Sequence, residues 1–188
     1  MQVAERFNLK IISIKDLIAY RLSKETLISK ALEVDFPTQY GDFRLFAFKQ
    51  ENTEELHLAF VKGTWKPSDP VLVRVHSGNI AEDIFGYASE HPQVPIRKAM
   101  KMVDEEGSGV ILYMNREVQG TGLLKRLQHF EDKGGENKSD MDSRDYGIGA
   151  QIIKSLKIKN MILVTRSKKK VISLDGYGLK ITKQEILK

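Results

Sequence analysis

The chain has 188 residues, of which 41% are hydrophobic and 29% charged, a composition typical of a soluble globular protein and not of a disordered or fibrous one. It contains no cysteine, which excludes disulfides, thiolate nucleophiles and every zinc site built on cysteine. No apolar run approaches the roughly 18 residues of a membrane helix, and the N-terminus lacks the order of a signal peptide, so we expect a cytoplasmic protein.

The net charge of +5 is spread unevenly along the chain. Residues 154–188 carry ten Lys and Arg residues against only Asp175 and Glu185. This asymmetry favours an anionic ligand, either nucleic acid or a phosphorylated small molecule. The alternative is a solvated, lysine-rich surface without a ligand.

The start of the chain predicts a short strand at residues 9–14, a helix at residues 15–21 and a polar helical stretch that continues to about Glu33. Pro37 and the turn-forming residues 39–42 then interrupt the pattern. We place a domain boundary just before this break, which divides the chain into residues 1–34 and residues 35–188.

The next part of the chain predicts an antiparallel hairpin. Its two apolar strands are residues 43–48 and 56–61, separated by a long polar turn. A further strand covers residues 71–75. In residues 96–103 the apolar side chains recur at helical spacing, and we expect this helix to end before Gly107.

The rest of the chain alternates between helices and strands. Residues 110–114 are apolar enough to predict a central strand covered on both faces. The remaining predicted elements are a helix at 123–130, a mobile loop at 131–142, a helix striped by Ile148, Ile152 and Leu156, and strands at 161–165 and 179–182. This order predicts an α/β (α+β) fold, a mixed β-sheet with an N-terminal hairpin and flanking helices.

Polar residues follow three of the predicted strands at their carboxyl ends, where ligands gather in α/β sheets. They are residues 74–77, 115–122 and 165–170. Arg binds phosphate through two hydrogen bonds, Lys adds a point charge, and Gly amides approach anionic oxygens closely. The three ends together predict a site for a phosphorylated ligand. The alternative is that these loops are polar only because loops are exposed.

Other sequence signals are absent or ambiguous. The chain has neither the glycine-rich phosphate loop nor the dinucleotide fingerprint. The four histidines, at positions 57, 76, 91 and 129, show no metal-binding spacing, so we predict no metal site. The acidic cluster at residues 140–145 precedes a helix and is therefore either a catalytic group or a helix cap.

Six segments, taken in order, resemble the GTP cyclohydrolase II domain of riboflavin biosynthesis over residues 37–182. These segments are residues 37–43, 58–63, 73–77, 105–113, 120–124 and 142–146. Residues 4–21 look like the end of a 3,4-dihydroxy-2-butanone 4-phosphate synthase domain, which lies directly upstream in the bifunctional fusion. The resemblance therefore implies the C-terminal part of such a fusion.

Enzymes of this family open the imidazole ring of GTP, using zinc and magnesium, and release formate and pyrophosphate. The resemblance implies that Asp142 is the proton acceptor and that Arg144 acts at the α-phosphate, either as a nucleophile or as an electrostatic clamp. The GTP-binding residues that it implies are Arg74, Val75, His76, Ser77, Glu117, Thr165 and Lys170.

The chain departs from the family at the zinc site. The three zinc cysteines of the family fall on Asn79, Glu90 and Pro92, and none of these offers a thiolate. Because zinc lowers the pKa of the attacking water, its loss is expected to remove ring opening. The acidic residue that follows His-Ser in the family is replaced by Gly78, and its Glu-Gly-Arg segment becomes Glu-Val-Gln at residues 117–119.

We therefore expect a GTP cyclohydrolase II-like domain that has lost zinc-dependent catalysis. It would act as a structural, homodimer-forming or nucleotide-binding partner of the upstream synthase, with GTP or another purine nucleotide as ligand. The alternative is an active GTP hydrolase, which opens the ring with a substitute metal site at Glu90 and His91 or, with magnesium, only releases pyrophosphate. A polyanion-binding module is least favoured, because no aromatic reading motif accompanies the basic region, and we expect no membrane partner.

Overall fold

The computed structural model describes residues 2–12, 16–17, 20–21, 24–51, 53, 55–78, 83, 95–115, 143–166, 174 and 177–187. The helices are α1 (Gln2–Arg6), α2 (Pro95–Glu106) and α3 (Ser143–Ser155). The strands are β1 (Ile28–Thr38), β2 (Gly41–Gln50), β3 (Leu56–Lys62), β4 (Pro70–Ser77), β5 (Gly109–Met114), β6 (Asn160–Thr165) and β7 (Lys180–Ile186).

The strands form one seven-stranded sheet in the order β1-β2-β3-β5-β4-β6-β7. Strands β1, β2, β3 and β5 pair antiparallel, whereas β5, β4, β6 and β7 pair parallel. The predicted mixed sheet is therefore confirmed, and so is the hairpin, because β2 and β3 are its two strands. The strands predicted at residues 71–75, 110–114, 161–165 and 179–182 correspond to β4, β5, β6 and β7.

Strand β1 corrects the prediction for the start of the chain. The helical stretch expected up to Glu33 is wrong from residue 28 onwards, because β1 pairs with β2 from Ile28 opposite Gln50 to Thr38 opposite Gly41. The strand expected at residues 9–14 is also wrong for residues 9–12, which have no regular structure. The division expected between residues 34 and 35 falls inside β1.

The two longer helices cover opposite faces of the sheet. Helix α2 packs with alternate strand residues such as Leu72 and Ile111, and α3 packs with their neighbours Val73 and Leu112. We call these the α2 face and the α3 face. Helix α2 ends as predicted, before Gly107, whose φ of 76° is a conformation that glycine adopts at little energetic expense.

Strand β5 lies in the middle of this three-layer arrangement. Val110, Ile111 and Leu112 are each 0% exposed, which confirms the predicted central strand covered on both faces. The predicted helix with Ile148 and Ile152 is confirmed as α3. The helix and loop expected at residues 123–142 lie outside the described residues. Within the described parts of the chain, no helix is long and apolar enough to cross a membrane.

Candidate functional site

The carboxyl ends of the parallel strands lie side by side at one edge of the sheet. Strand β4 has β5 on one side and β6 on the other, and Ser77 at the end of β4 pairs with Met114 at the end of β5. The chain leaves β4 towards α2 on one face and leaves β5 towards α3 on the other face. Such a divergence of connections opens a crevice where α/β sheets bind ligands. The three strands that these polar residues follow, β4, β5 and β6, are therefore neighbours, while residues 116–122 and 167–170 lie outside the described residues.

The predicted binding residues divide between the two faces of the sheet at this edge. Arg74 pairs with Ile111, which packs under α2, and His76 pairs with Tyr113 two positions further on. Val75 contributes to the cluster under α3. Because successive strand residues point to opposite faces, Ser77 lies with Val75 on the α3 face. Thr165 follows Val164, which packs under α2, so it also lies on the α3 face.

Arg74 lies half-buried next to a second cation. Its Nη1 donates a hydrogen bond to the backbone oxygen of Val164 at 3.1 Å. Burial, with a smaller effect from the positive charge of Arg166, lowers the pKa of Arg74 to about 10, and Asp83 acts in the opposite direction. Among the described atoms, the buried Nε of Arg74 has no hydrogen-bond partner. This strand end therefore holds positive charge for which an anion would be a favourable neighbour.

His76 is held by a carboxylate that the sequence did not single out. The ring Nε2 lies 2.9 Å from both carboxylate oxygens of Asp83, and the two side chains are 2% and 7% exposed. On the neighbouring strand β5, the centre of the Tyr113 ring lies 5.5 Å from the centre of the imidazole ring, and the two ring planes are tilted by 31°. The other ring nitrogen, Nδ1, is buried and makes no hydrogen bond within the described structure. The imidazole is thus fixed from two sides.

Gly78 lets the chain pass close to Tyr113. A Cβ on Gly78 would lie 2.6 Å from both Cζ and the hydroxyl oxygen of Tyr113. The amide of Gly78 donates a hydrogen bond to the backbone oxygen of Met114 at 2.9 Å, which continues the pairing of β4 and β5 by one residue. Where the resemblance expects an acidic side chain, the space next to the backbone is therefore filled by the ring of Tyr113.

Helix α3 brings Arg144 to the same edge of the sheet. A Cβ on Gly149 would lie 3.5 Å from Leu112 Cδ2 and 3.8 Å from Met114 Sδ, so the first half of α3 lies over the end of β5. Arg144 is in the first turn of this helix. The other predicted site residues, Asp142, Glu117 and Lys170, lie outside the described residues.

The donor set does not fit the zinc ion of the family. Asn79, Glu90 and Pro92, which the resemblance places at the positions of the family's cysteines, offer no thiolate, and Pro92 has no side-chain donor at all. In the parts of the chain that the structure describes, no group of three His, Cys, Asp or Glu residues could hold a metal ion. No catalytic step through zinc is derived for this chain.

A pocket of about 580 Å³ lies at the opposite edge of the sheet, lined in part by Phe36, Asp42 and Phe43. Two of its lining cations are already paired, Arg44 with Glu33 at 3.1 Å and Lys62 with Asp104. It lies at the turn between β1 and β2, away from the carboxyl ends of the parallel strands. None of the predicted site residues that the structure describes lines this pocket.

The mixed sheet, with helices on both of its faces, places the chain in the α/β class of domains. The match to the GTP cyclohydrolase II family model extends over residues 29–185, and the chain belongs to that family.

Relatives include the riboflavin biosynthesis protein RibBA of Cytophaga hutchinsonii, which is 48% identical over 96% of this chain and 47% of its own length. RibBA of Aquifex aeolicus is 37% identical over 100% of this chain and 49% of its own length. The chain therefore spans about half the length of the curated relatives it matches.

A solved structure with a similar fold is RibBX from A. baumannii, described as a two domain 3,4-dihydroxy-2-butanone 4-phosphate synthase. It has a TM-score of 0.57 and 25% sequence identity, and the match covers 98% of this chain and 47% of RibBX. The family model begins at residue 29, whereas the relatives match 96% or more of the chain. Their similarity therefore extends into the residues that precede the family domain.

Proposed function

We propose that this chain is a GTP cyclohydrolase II-like domain of riboflavin biosynthesis that does not open the GTP ring and instead serves a synthase domain as a structural, dimer-forming or nucleotide-binding partner. The observation that carries the proposal is the end of β4. There His76 is bound to Asp83, and the ring of Tyr113 occupies the space of a side chain at position 78. Together with the absence of cysteine from the sequence, this arrangement has no zinc-activated water to offer.

The similarity to RibBX supports a role beside a synthase. RibBX is described as a two-domain synthase, and this chain matches about half of it. A domain with this fold therefore occurs in a protein described only as a synthase. We propose that the present chain is likewise the partner of a synthase domain, and that both lie in the cytoplasm.

The N-terminal segment supports an upstream partner. Seven large apolar side chains in the first 20 residues are 45–68% exposed, namely Val3, Phe7, Leu9, Ile11, Ile12, Leu17 and Tyr20. So many exposed apolar side chains in a short segment are typical of an interaction surface. We propose that the segment before the sheet, residues 1–27 of the 1–34 expected from the sequence, is the tail of a 3,4-dihydroxy-2-butanone 4-phosphate synthase domain.

Arg74 favours a second candidate, a nucleotide-binding domain that acts on phosphates. The desolvated guanidinium of Arg74 lies near the charge of Arg166, and both would gain from a phosphate group between them. Arg144 in the first turn of α3 would add a third cation, and Asp142 would be the acid or base next to it. With magnesium on the phosphates, such a site would release pyrophosphate from GTP without ring opening.

A GTP turnover assay tests the proposal. The purified chain is incubated with GTP and magnesium, with and without zinc, while formate and pyrophosphate are measured separately. We expect no formate under either condition. Pyrophosphate release that is lost in Arg144→Ala would favour the second candidate, and formate release would overturn the proposal.

A further inference from the structure

The connection between the N-terminal segment and the sheet is held by one buried side chain. The side-chain amide of Gln151, in the middle of α3, donates a hydrogen bond to the backbone oxygen of Glu25 at 2.8 Å. Its side-chain oxygen accepts a hydrogen bond from the backbone amide of Leu27, also at 2.8 Å. Gln151 is 9% exposed, so these two bonds lie largely away from competing water.

The two residues that Gln151 binds are positioned by further contacts. Glu25 ends a helical turn, because its amide donates to the backbone oxygen of Arg21 at 2.7 Å and the two side chains form an ion pair at 2.8 Å. The oxygen of Leu27 accepts a hydrogen bond from the amide of Glu51 at 2.8 Å, and Ile28 is buried in the core under α3. The polypeptide between residues 25 and 28 therefore follows one path.

Gln151 satisfies backbone groups that the neighbouring elements leave open. The last carbonyl groups of a helix have no partner within the helix, and the oxygen of Glu25 at the end of such a turn finds one in the Gln151 amide. A flexible linker would leave these groups to water. The direction of the segment before Glu25 is consequently tied to the position of α3.

We propose that residues 25–28 and Gln151 form a rigid joint, which fixes the direction in which the chain leaves the sheet towards a synthase domain docked on the exposed apolar N-terminal segment. The identity of the docked domain rests on the proposed function, whereas the joint does not. The docked partner would present an apolar surface complementary to Val3, Phe7 and Ile11. The similarity to the relatives extends into this N-terminal segment, before the family domain begins.

The joint also connects the partner to the candidate site. Arg144 lies seven residues before Gln151 in the same helix, about two turns or roughly 10 Å along its axis. Helix α3 packs closely on β5 through Gly149, so it moves as one body with this end of the sheet. A displacement of the docked domain must therefore either break the Gln151 bonds or shift the helix that carries Arg144.

Because the chain has no cysteine, spin labels can be attached at two introduced cysteines without further changes. We would label Lys24→Cys and Lys159→Cys, both at exposed positions, and measure the distance distribution between them by electron spin resonance. We expect one narrow distribution in the parent and a broad one in Gln151→Ala. Lys154→Ala, an exposed position on the same helix, is the matched control and should leave the distribution narrow.

A second measurement keeps the proposal testable if Gln151→Ala does not fold. Gln151→Glu retains the acceptor for Leu27 but loses the donor to Glu25, and amide exchange at Leu27 and Glu51 can be followed in the unlabelled chain. We expect exchange at both amides to become about tenfold faster, which corresponds to roughly 1.4 kcal/mol.

A broad distance distribution in the parent would overturn the joint, and so would unchanged exchange in Gln151→Glu. Neither result depends on GTP turnover, so failure of the joint and failure of the proposed function can be told apart.

Discussion

The imidazole of His76 and the carboxylate of Asp83 form a buried pair beyond the end of β4, with Nε2 2.9 Å from both oxygens. Removing the carboxylate leaves a buried ring nitrogen without its partner, and such a loss reduces stability by about 1–3 kcal/mol. We therefore expect Asp83→Ala to lower the free energy of unfolding by this amount in urea denaturation.

Asp42→Ala is the matched control for this prediction, because its carboxylate is exposed near the start of β2. Its effect should stay within about 0.5 kcal/mol. Equal stabilities of Asp83→Ala and the parent would contradict a fixed imidazole at this strand end.

The close approach of Gly78 and Tyr113 predicts that even a methyl group is not tolerated. A Cβ at position 78 would lie 2.6 Å from the Tyr113 ring, which is shorter than any normal contact. We expect Gly78→Ala to reduce stability by about 1–3 kcal/mol. In the double variant with Tyr113→Ala the added penalty should disappear, and a double-mutant cycle measures this coupling.

Gly149→Ala should change stability in the opposite direction. Its Cβ would meet Leu112 and Met114 at 3.5 and 3.8 Å, ordinary contact distances, in the interior of a helix. Alanine is preferred to glycine there by roughly 0.5–1 kcal/mol. Thermal unfolding of Gly78→Ala and Gly149→Ala therefore compares a position without room for a Cβ atom with a position that has room for one. A loss of stability in Gly149→Ala would show that α3 does not pack as described.

The charge of Arg74 predicts stabilisation by phosphate-containing anions. Burial lowers the pKa of this guanidinium to about 10, so the fold disfavours the charged form that dominates at neutral pH. Because the folded pKa lies below that of the unfolded chain, this penalty is present below pH 10 and diminishes as the pH rises through that value. A bound anion would offset it at neutral pH.

Pyrophosphate should therefore raise the melting temperature of the parent but not that of Arg74→Met. At an anion concentration 100 times the dissociation constant the gain is about 2.7 kcal/mol. Arg97→Met, an exposed arginine on α2, should keep the full response. An equal response in Arg74→Met would assign anion binding to another part of the chain.

The exposed apolar segment predicts that the sheet folds without it. A chain that begins at Glu25 keeps the residue bound by Gln151 and removes the seven exposed apolar side chains. We expect its cooperative unfolding transition to remain, with a free energy within about 0.5 kcal/mol of the parent. The binding of a hydrophobic dye should fall markedly, because the seven exposed apolar side chains are gone. Loss of the transition would show that the segment is part of this domain's own core.

The sequence predicted those elements whose apolar residues recur at the spacing expected for their buried face or faces. Strand β5 and helix α2 are examples, since their apolar residues recur at the spacing of a covered strand and of a helix with one buried face. Strand β1 was missed because residues 30–33 are good helix formers, and because its alternation of Leu32, Val34 and Phe36 faces solvent in part. Pairing with β2 along 11 residues outweighs that local preference.

The candidate site was predictable in its place but not in its contacts. Polar residues at the ends of β4 and β6 pointed to one edge of the sheet, and the topology confirms that these two strands are parallel neighbours. Asp83 gave no signal, because it lies in a part of the sequence without a clear periodic pattern, and only the fold brings it to His76. In the sequence, Tyr113 is an ordinary residue of a central strand. Its close contact with Gly78 is a distance between two strands, which the spacing of residues along the sequence does not reveal.

The outer strand β1 bears on how the protein avoids aggregation. A long edge strand with exposed Leu32, Val34 and Phe36 could in principle recruit a strand from another molecule. Charged Glu33 and Asp35 alternate with these apolar residues, and Pro37 removes a backbone donor near the end of the strand. Two copies brought together antiparallel at this edge would set like charges against each other. The chain can therefore expose an apolar face at high concentration without presenting a template for fibres.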